Sequence, residues 1–355
     1  MRLQLTALAL AALGARAYAE PEGEHATVAA RTAAYVDDDH TVISTSTVAV
    51  RGNPTAHTVI AGRYVADAVS SASVDVISAA TERWTELRSE VLGGVAYADG
   101  TTTASVDYIY SHEHDWDSHT VSAGASRDVF RHNLTLAAGA SFVDNRVGRA
   151  DDANFHERMR VLGGTLRAVW VGGPKDVFTA SYDGSRARGY QASPYRYAYV
   201  ADVMGGAPLA FPEVAPGERW RHALTMRWNH HLLRDTAVRS HARAYGDDWG
   251  VRSLTAGSEV VVGLEPWELA VQGRVYAQQG ATFYQDVYDR PRMYMTADRE
   301  LSTFQDLFVG VRAGWIGETL ALDASVTGFA FRFPEFARLP RRTGFIAMLG
   351  LVWAL

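Results

Sequence analysis

Side chains in this chain alternate in character with a period of two, and the alternation recurs almost to the last residue. In Arg131–Asn145, Leu134, Leu136, Ala138, Ala140 and Phe142 share one parity, while Asn133, Thr135, Ala137, Gly139 and Ser141 share the other. Such a pattern marks a strand with one apolar face and one polar or small face. A single strand of this kind would suit a soluble sandwich equally well. The repetition is what decides, because the pattern returns between turn signals along the whole chain with no helical segment in between. Segments of about ten alternating residues, facing lipid and lumen by turns, characterise a transmembrane β-barrel.

The chain has 355 residues, a net charge of −6, 47% hydrophobic residues and no cysteine. No apolar run reaches the 18 or so residues that a membrane helix needs. A mean hydropathy of −0.12 still suits a barrel, in which only every second residue meets lipid. Met1–Ala19 reads as a secretory signal peptide, with Arg2 as its charged start, Leu3–Leu13 as its apolar core and Ala17-Tyr18-Ala19 as its cleavage site. No shift in composition divides the remainder, so residues 20–355 are read as one outer-membrane β-barrel domain. The absence of cysteine excludes a lipid anchor and disulfides.

Sixteen alternating segments can be marked, from Ala26–Val36 to Thr343–Leu355, and two misplaced boundaries would make them fourteen or eighteen. An even number suits a bacterial single-chain barrel. The longer connections, such as Asp67–Thr81, Gly184–Glu218 and Gln279–Ser302, mostly follow odd-numbered segments. The tight turns, such as Asp99-Gly100, Glu265-Pro266 and Gly317-Glu318, follow even-numbered ones. The expectation is an all-β, antiparallel up-and-down barrel with short periplasmic turns, longer extracellular loops and both termini periplasmic.

Aromatic residues give an independent signal. Tyr97, Trp170, Trp228, Trp267, Trp315 and Trp353 all fall at the short-turn ends of their segments, with the parity of the apolar face. Rings with one polar tip prefer the headgroup level, so these six form an expected girdle. The last segment, Phe345–Trp353, is the most hydrophobic and is similar to the C-terminal strand by which the barrel-assembly machinery recognises its clients, although Ala354-Leu355 follow the aromatic residue.

Several phrases resemble those of an outer-membrane family catalogued as domain of unknown function 3570. They are Asp67–Val76, Tyr110–Trp116, Asn133–Leu136, Asp247-Asp248-Trp249-Gly250 and Thr296–Leu301. The resemblance implies a barrel in the outer membrane of a Gram-negative-type bacterium. It implies no established activity and no catalytic residues.

Chemistry-bearing residues are sparse. The tip His112–His119 concentrates three imidazoles and three carboxylates, and His112, His114 and Asp115 could hold zinc or copper or form part of a hydrated loop. Asp37, Asp38 and Asp39 are open to the same two readings. Asp67, Ser70, Ser71, Ser73 and Asp75, followed by Glu82, Glu86 and Glu90, either cap strands or fold inward. No G-x-S-x-G or H-E-x-x-H occurs, and Asn229-His230-His231 lies at a short turn, so an outer-membrane hydrolase is the weakest reading and the chain is read as no enzyme. No cofactor is implied beyond a divalent metal.

The interior carries the most information. Inward parity collects Glu86, Arg88, Glu90 and Asp107 on early segments, and Arg221, Arg227, Arg239, Arg243, Arg274 and Arg312 on later ones. In a closed barrel these arcs face each other, and opposed charges can select ions and orient polar solutes. The alternative is that they pair and fill the interior. The sequence thus points to a porin-like passive channel for small polar solutes, or to a non-conducting receptor or scaffold acting through its loops. Expected partners are outer-membrane lipid and lipopolysaccharide, the assembly machinery and small polar solutes, with no nucleic acid. The mature protein should fractionate with the outer membrane, resist urea extraction and shift its electrophoretic mobility on heating in detergent; recovery in the soluble periplasmic fraction overturns the barrel.

Overall fold

The computed structural model describes residues 26–71 and 84–355. The signal-peptide assignment and, of the polar stretch, Ser73, Asp75 and Glu82 lie outside the described residues. Among the described residues, sixteen strands close one antiparallel barrel. They are β1 (Ala26–Asp37), β2 (Thr41–Thr55), β3 (Thr58–Ser71), β4 (Trp84–Ala98), β5 (Thr102–Glu113), β6 (Trp116–Val129), β7 (Leu134–Val147), β8 (Glu157–Val171), β9 (Asp176–Gly189), β12 (Glu218–Leu233), β13 (Thr236–Asp247), β14 (Arg252–Leu264), β15 (Trp267–Gln279), β16 (Phe304–Ile316), β17 (Leu320–Arg332) and β18 (Arg341–Ala354). Two short strands, β10 (Tyr197–Val200) and β11 (Leu209–Pro212), form a separate hairpin inside the longest connection, so β9 pairs directly with β12. The sequence pattern had offered no strand there.

Apart from the β9–β12 pair, each barrel strand hydrogen-bonds to its sequence neighbours, and β1 closes the sheet against β18, with Val28 opposite Trp353 and Tyr35 opposite Ile346. Closure satisfies every strand edge, which a lipid-embedded sheet requires. The two ends of the barrel differ. At the turn end lie the connections β2–β3, β4–β5, β6–β7, β8–β9, β12–β13, β14–β15 and β16–β17, none longer than a few residues. At the loop end lie the long connections of residues 148–156, 190–217, 280–303 and 333–340.

The two faces invert the arrangement of a soluble protein. Outward side chains such as Val91, Leu162, Val311 and Leu349 are more than half exposed and form a continuous apolar band. A soluble monomer does not expose such an area, and lipid is the medium that covers it. The six expected girdle residues all stand at the turn end with outward parity. Trp267 faces Trp315 across a strand pair, and Trp170 and Trp228 both stack on Phe178.

Aromatic packing also occurs inside, which the sequence reading did not anticipate. Near the β1–β18 seam at the loop end, inward-facing Tyr35, Phe308 and Phe329 form one buried cluster, and Phe304, Phe333 and Phe336 form another. Ring centroids lie 5.1 Å apart for Tyr35–Phe329 and 5.3 Å for Phe304–Phe333. This side of the interior is a packed core.

The strands run 12 to 16 residues, whereas about 9–11 tilted residues cross a bilayer. Much of the excess lies at the loop end. The supposed tip His112–His119 is mostly strand, because β5 continues to Glu113, β6 starts at Trp116, and only His114-Asp115 form the turn. Above the lipid level the outward residues need not be apolar, so the period of two fades from the sequence while the backbone ladder continues.

Two loop-end turns share one design. Asp37 Oδ1 accepts the backbone N–H groups of Asp39 and Thr41, and Asp247 Oδ1 accepts those of Trp249 and Val251. The hydroxyls of Tyr35 and Tyr245 donate to the other carboxylate oxygens at 2.7 Å in both turns. The fourth turn residue has positive φ, His40 at 56° and Gly250 at 90°, a conformation that glycine adopts without penalty. Asp37 is therefore engaged in holding the shape of the first turn, while Asp38 accepts from the Thr343 N–H and hydroxyl on β18. Phe333 is fully buried, so Phe333→Ala should cost about 3–5 kcal/mol by loss of packing, read as a lower urea midpoint of tryptophan fluorescence for the folded barrel in detergent.

Candidate functional site in the barrel interior

The strand ladders place all ten predicted interior charges on the inward face. On the early wall, Arg88 sits directly opposite Asp67 across the β3–β4 pair, and Asp107 sits opposite Gly94. Arg88 donates to Asp67 at 3.4 Å, to Glu90 at 2.5 Å and to Ser111 at 2.9 Å, and Arg63 reaches Glu90 at 2.9 Å. Glu90 is buried by this network. The early wall is therefore a knot of acids threaded by two arginines. Asp67, from the polar stretch, belongs to it.

The later wall is richer in arginine. Arg239 pairs with Glu259 at 3.3 Å, and Arg312 bridges Glu259 at 3.3 Å and Glu268 at 2.7 Å. Arg274 pairs with Asp306 at 2.6 Å and lies 4.3 Å from the centre of the Phe308 ring. Glu259, Glu268 and Asp306 were missed by the sequence reading, although the same inward parity that marked the arginines marks them too. Among the described residues, no carboxylate lies within 4.0 Å of Arg221, Arg227 or Arg243. In the closed strand order β14 stands eight strands from β4, so the arginine wall faces the acidic one.

The structure does not assemble the histidine set proposed for a metal. His112 faces outward and its Nδ1 lies 2.8 Å from Asp117 Oδ1. His114 lies in the turn. Asp115 instead comes within 4.8 Å of Glu86 and Glu113, a group of three carboxylates that could hold a cation, and it accepts a hydrogen bond from the Tyr195 hydroxyl. His230, from the other histidine pair, bonds Asp176 at 2.8 Å on the outward face.

At the loop end, connections that leave the wall far apart are tied together. Tyr195, in the β9–β12 connection, donates to Asp115 in the β5–β6 turn. The next residue, Arg196, pairs with Asp298 in the β15–β16 connection. Arg299, in a short 3-10 turn (Arg299–Leu301), pairs at 2.6 Å with Asp39 in the β1–β2 turn, and both are almost fully buried. These four anchoring points leave the barrel at intervals of four strands, so the linked segments span its mouth. Isolated bridges Val200–Tyr288 and Val214–Met295 reinforce the join, around a small core of Ala198, Val200, Tyr288 and Met295.

Glu213 is buried within this join. Its Oε1 accepts from Thr296 Oγ1 at 2.8 Å and from the Ala297 N–H at 2.9 Å. Burial, followed by the nearby Asp298 charge, pushes its carboxyl up to about 7, against the opposing pull of Arg196 and these hydrogen bonds.

Comparison with known proteins agrees with this architecture. The model of a family described as "Protein of unknown function (DUF3570)" matches residues 171–327. That segment runs from the end of β8 into β17 and contains the whole arginine wall. A search of curated proteins gave no match. Among solved structures, one described as "Bacterial polysaccharide outer membrane secretin" is similar at a TM-score of 0.55 and 9% identity, covering 94% of this chain and 100% of its own. CdiB from Acinetobacter baumannii is similar at a TM-score of 0.55 and 11% identity, covering 92% of this chain and 60% of its own. At such identities the likeness concerns the fold, which is that of outer-membrane barrels.

The raised Glu213 carboxyl has a directional consequence. In an unfolded segment this carboxyl would titrate near 4.5, so between that value and about 7 the docked segment holds a proton that the undocked one lacks. Docking therefore weakens as pH rises through this window. Protection factors of amides in residues 197–214 and 284–297, taken relative to the intrinsic exchange rate at each pH, should be higher at pH 5.5 than at pH 8, and Glu213→Gln should remove most of the difference; equal protection of the wild type at both pH values rejects the assignment.

Proposed function

We propose that the protein is a passive outer-membrane channel for small polar or ionic solutes, with its termini and short turns on the periplasmic side and its long loops outside. The observation that carries this reading is the later wall, where Arg227 and Arg243 point inward, exposed and with no carboxylate within 4.0 Å among the described residues, facing a wall of acids, while Arg221 near the loop end is more deeply covered. Buried charges without partners are costly, so such arginines suit a wetted surface over which anions pass. Arg239, Arg274 and Arg312, already paired with acids, shape that surface and add less field. The secretin named above lends the reading a similar fold that spans an outer membrane.

A second reading is favoured by the linked segments across the loop-end mouth. A barrel roofed in this way would serve as a non-conducting receptor or scaffold whose loops meet an external partner. Conductance separates the two. The wild-type protein in a planar bilayer under a salt gradient should conduct with a preference for anions. Replacing Arg227 and Arg243 together with glutamate should move the reversal potential toward cation preference, whereas Arg252→Gln, whose side chain faces outward on β14, should leave it in place. A folded barrel that carries no current rejects the channel and leaves the scaffold. A current whose selectivity ignores the double replacement keeps the channel but rejects the arginine wall as its filter.

A further inference from the structure

The exterior of the barrel also changes character at the loop end. Along the outward face of β8, Leu166 and Leu162 are each at least 60% exposed. The next two outward positions toward the loop end are Arg160 and Arg158, whose side chains remain 56% and 51% exposed. Strand pairing brings more cations to this level. Arg146 on β7 stands directly opposite Arg158, and Arg188 on β9, 61% exposed, stands directly opposite Arg160.

Like charges directly opposite each other on one sheet face are destabilising, since their Cβ atoms lie only about 4.5–5.5 Å apart. Local acids offset part of this. Asp144 accepts from Arg158 at 2.5 and 2.8 Å and from Arg160 at 3.2 Å, and Glu218 takes Arg186 at 2.5 Å and Arg188 at 3.4 Å. Asp117, opposite Arg146, is already occupied by Tyr110 and His112. The patch keeps more guanidinium than carboxylate, and its forks stay open to one side. An anion arriving from that side would relieve both facing pairs.

The surroundings specify the anion. Phe142, Leu162 and Leu166 lie immediately below the arginines, and Trp220 flanks them with the Arg186 guanidinium 4.8 Å from its ring centre. A ligand that fits joins acyl chains to an anionic head broad enough to meet more than one guanidinium. Guanidinium forks match phosphate oxygens in pairs, and clustered arginines at a membrane surface bind anionic headgroups. We propose that Arg146, Arg158, Arg160 and Arg188 form a binding site for the phosphates of lipid A, the acylated glycolipid of lipopolysaccharide, with its chains lying on Leu162, Leu166 and Phe142. The site rests on the loop end facing outward, as in the reading above, but not on whether the barrel conducts.

Binding can be measured on the purified, folded full-length barrel in non-ionic detergent, by native mass spectrometry and by the temperature of its heat-induced mobility shift. The probes are lipid A with both phosphates, the same lipid with its phosphates removed, and inorganic pyrophosphate. Diphosphorylated lipid A should be retained and should raise the transition temperature, and the dephosphorylated lipid should bind at least about tenfold more weakly, as loss of charge-assisted hydrogen bonds implies. Replacing Arg158, Arg160 and Arg188 together with glutamine should cause a similar loss, while Arg252→Gln, outward on β14 four strands away from β8, should not. Equal binding of the two lipids, full binding by the triple variant, or equal stabilisation by pyrophosphate alone overturns the proposal. If the triple variant forms no heat-modifiable barrel, the two lipids compared on the wild type still decide. None of these readouts requires a current, so failure here and failure of the channel reading are separate results.

Discussion

The hydrogen bonds that join β1 to β18 set the terms for the rest of the molecule. In hydrocarbon, each unpaired backbone N–H or C=O costs several kcal/mol, so an open sixteen-strand sheet could not remain there. Once the first strand meets the last, no edge is left and the backbone makes no further demand on side chains. Parity alone then decides which medium each residue meets. That freedom allows the outward face to be a band of valine and leucine, and lets the inward face collect the charged residues and, near the seam, a cluster of phenylalanines.

Parity is also what made the fold readable. The strand number, the alternation of short turns with long connections, the six girdle aromatics and the ten inward charges all follow from a period of two that survives wherever lipid imposes it. It fails where lipid does not. The stretch from His112 to His119 is nearly all strand, but its outward residues, His112, Asp117 and His119, sit above the apolar band and bear no trace of alternation. The inward acids Glu259, Glu268 and Asp306 were legible in principle, since they share the parity of Arg239, Arg312 and Arg274. What parity could not show is that they would be partners, because pairing depends on register between strands. The hairpin of β10 and β11 and the packing of Phe304, Phe333 and Phe336 depend on contacts between distant loops, which no local pattern encodes.

The loop end holds its shape by reusing a few interactions. Asp37 and Asp247 each organise a turn by accepting two backbone N–H groups and a tyrosine hydroxyl. The same aspartates lie beside Arg342 and Arg219 respectively, and Arg342 in turn lies over the Phe331 ring. Carboxylate, tyrosine and arginine thus recur as a unit that ties turn to wall. Of the aspartates read in sequence as candidate metal ligands, Asp37 does this structural work, Asp38 ties the turn to Thr343 on β18, and Asp39 anchors the crossing segments through Arg299. Among the described residues, the carboxylates that come together closely enough for a cation are Glu86, Glu113 and Asp115, a quarter of the way round the mouth from the β1–β2 turn.

Interior and exterior arginines face different physics despite identical chemistry. Inside, Arg239, Arg274 and Arg312 have carboxylates within reach, and such pairs screen each other within a few ångströms. Mobile ions at physiological strength screen what remains over about 8 Å. In a wide bore that residue of field fades before it reaches the axis, so any influence on solutes must be exerted close to the wall or where the crossing segments narrow the mouth. Outside, Arg158 and Arg160 share Asp144 and Arg188 reaches Glu218, yet the register sets arginine against arginine just beyond the apolar band. Like charges are thus held face to face outside, whereas each interior arginine of the paired set meets a carboxylate. The sheet register that creates those pairs is fixed by the apolar band below them, since a slip of one residue would turn Leu162 and Leu166 away from lipid. The cost of holding them face to face is met by the membrane-spanning part of the same strands.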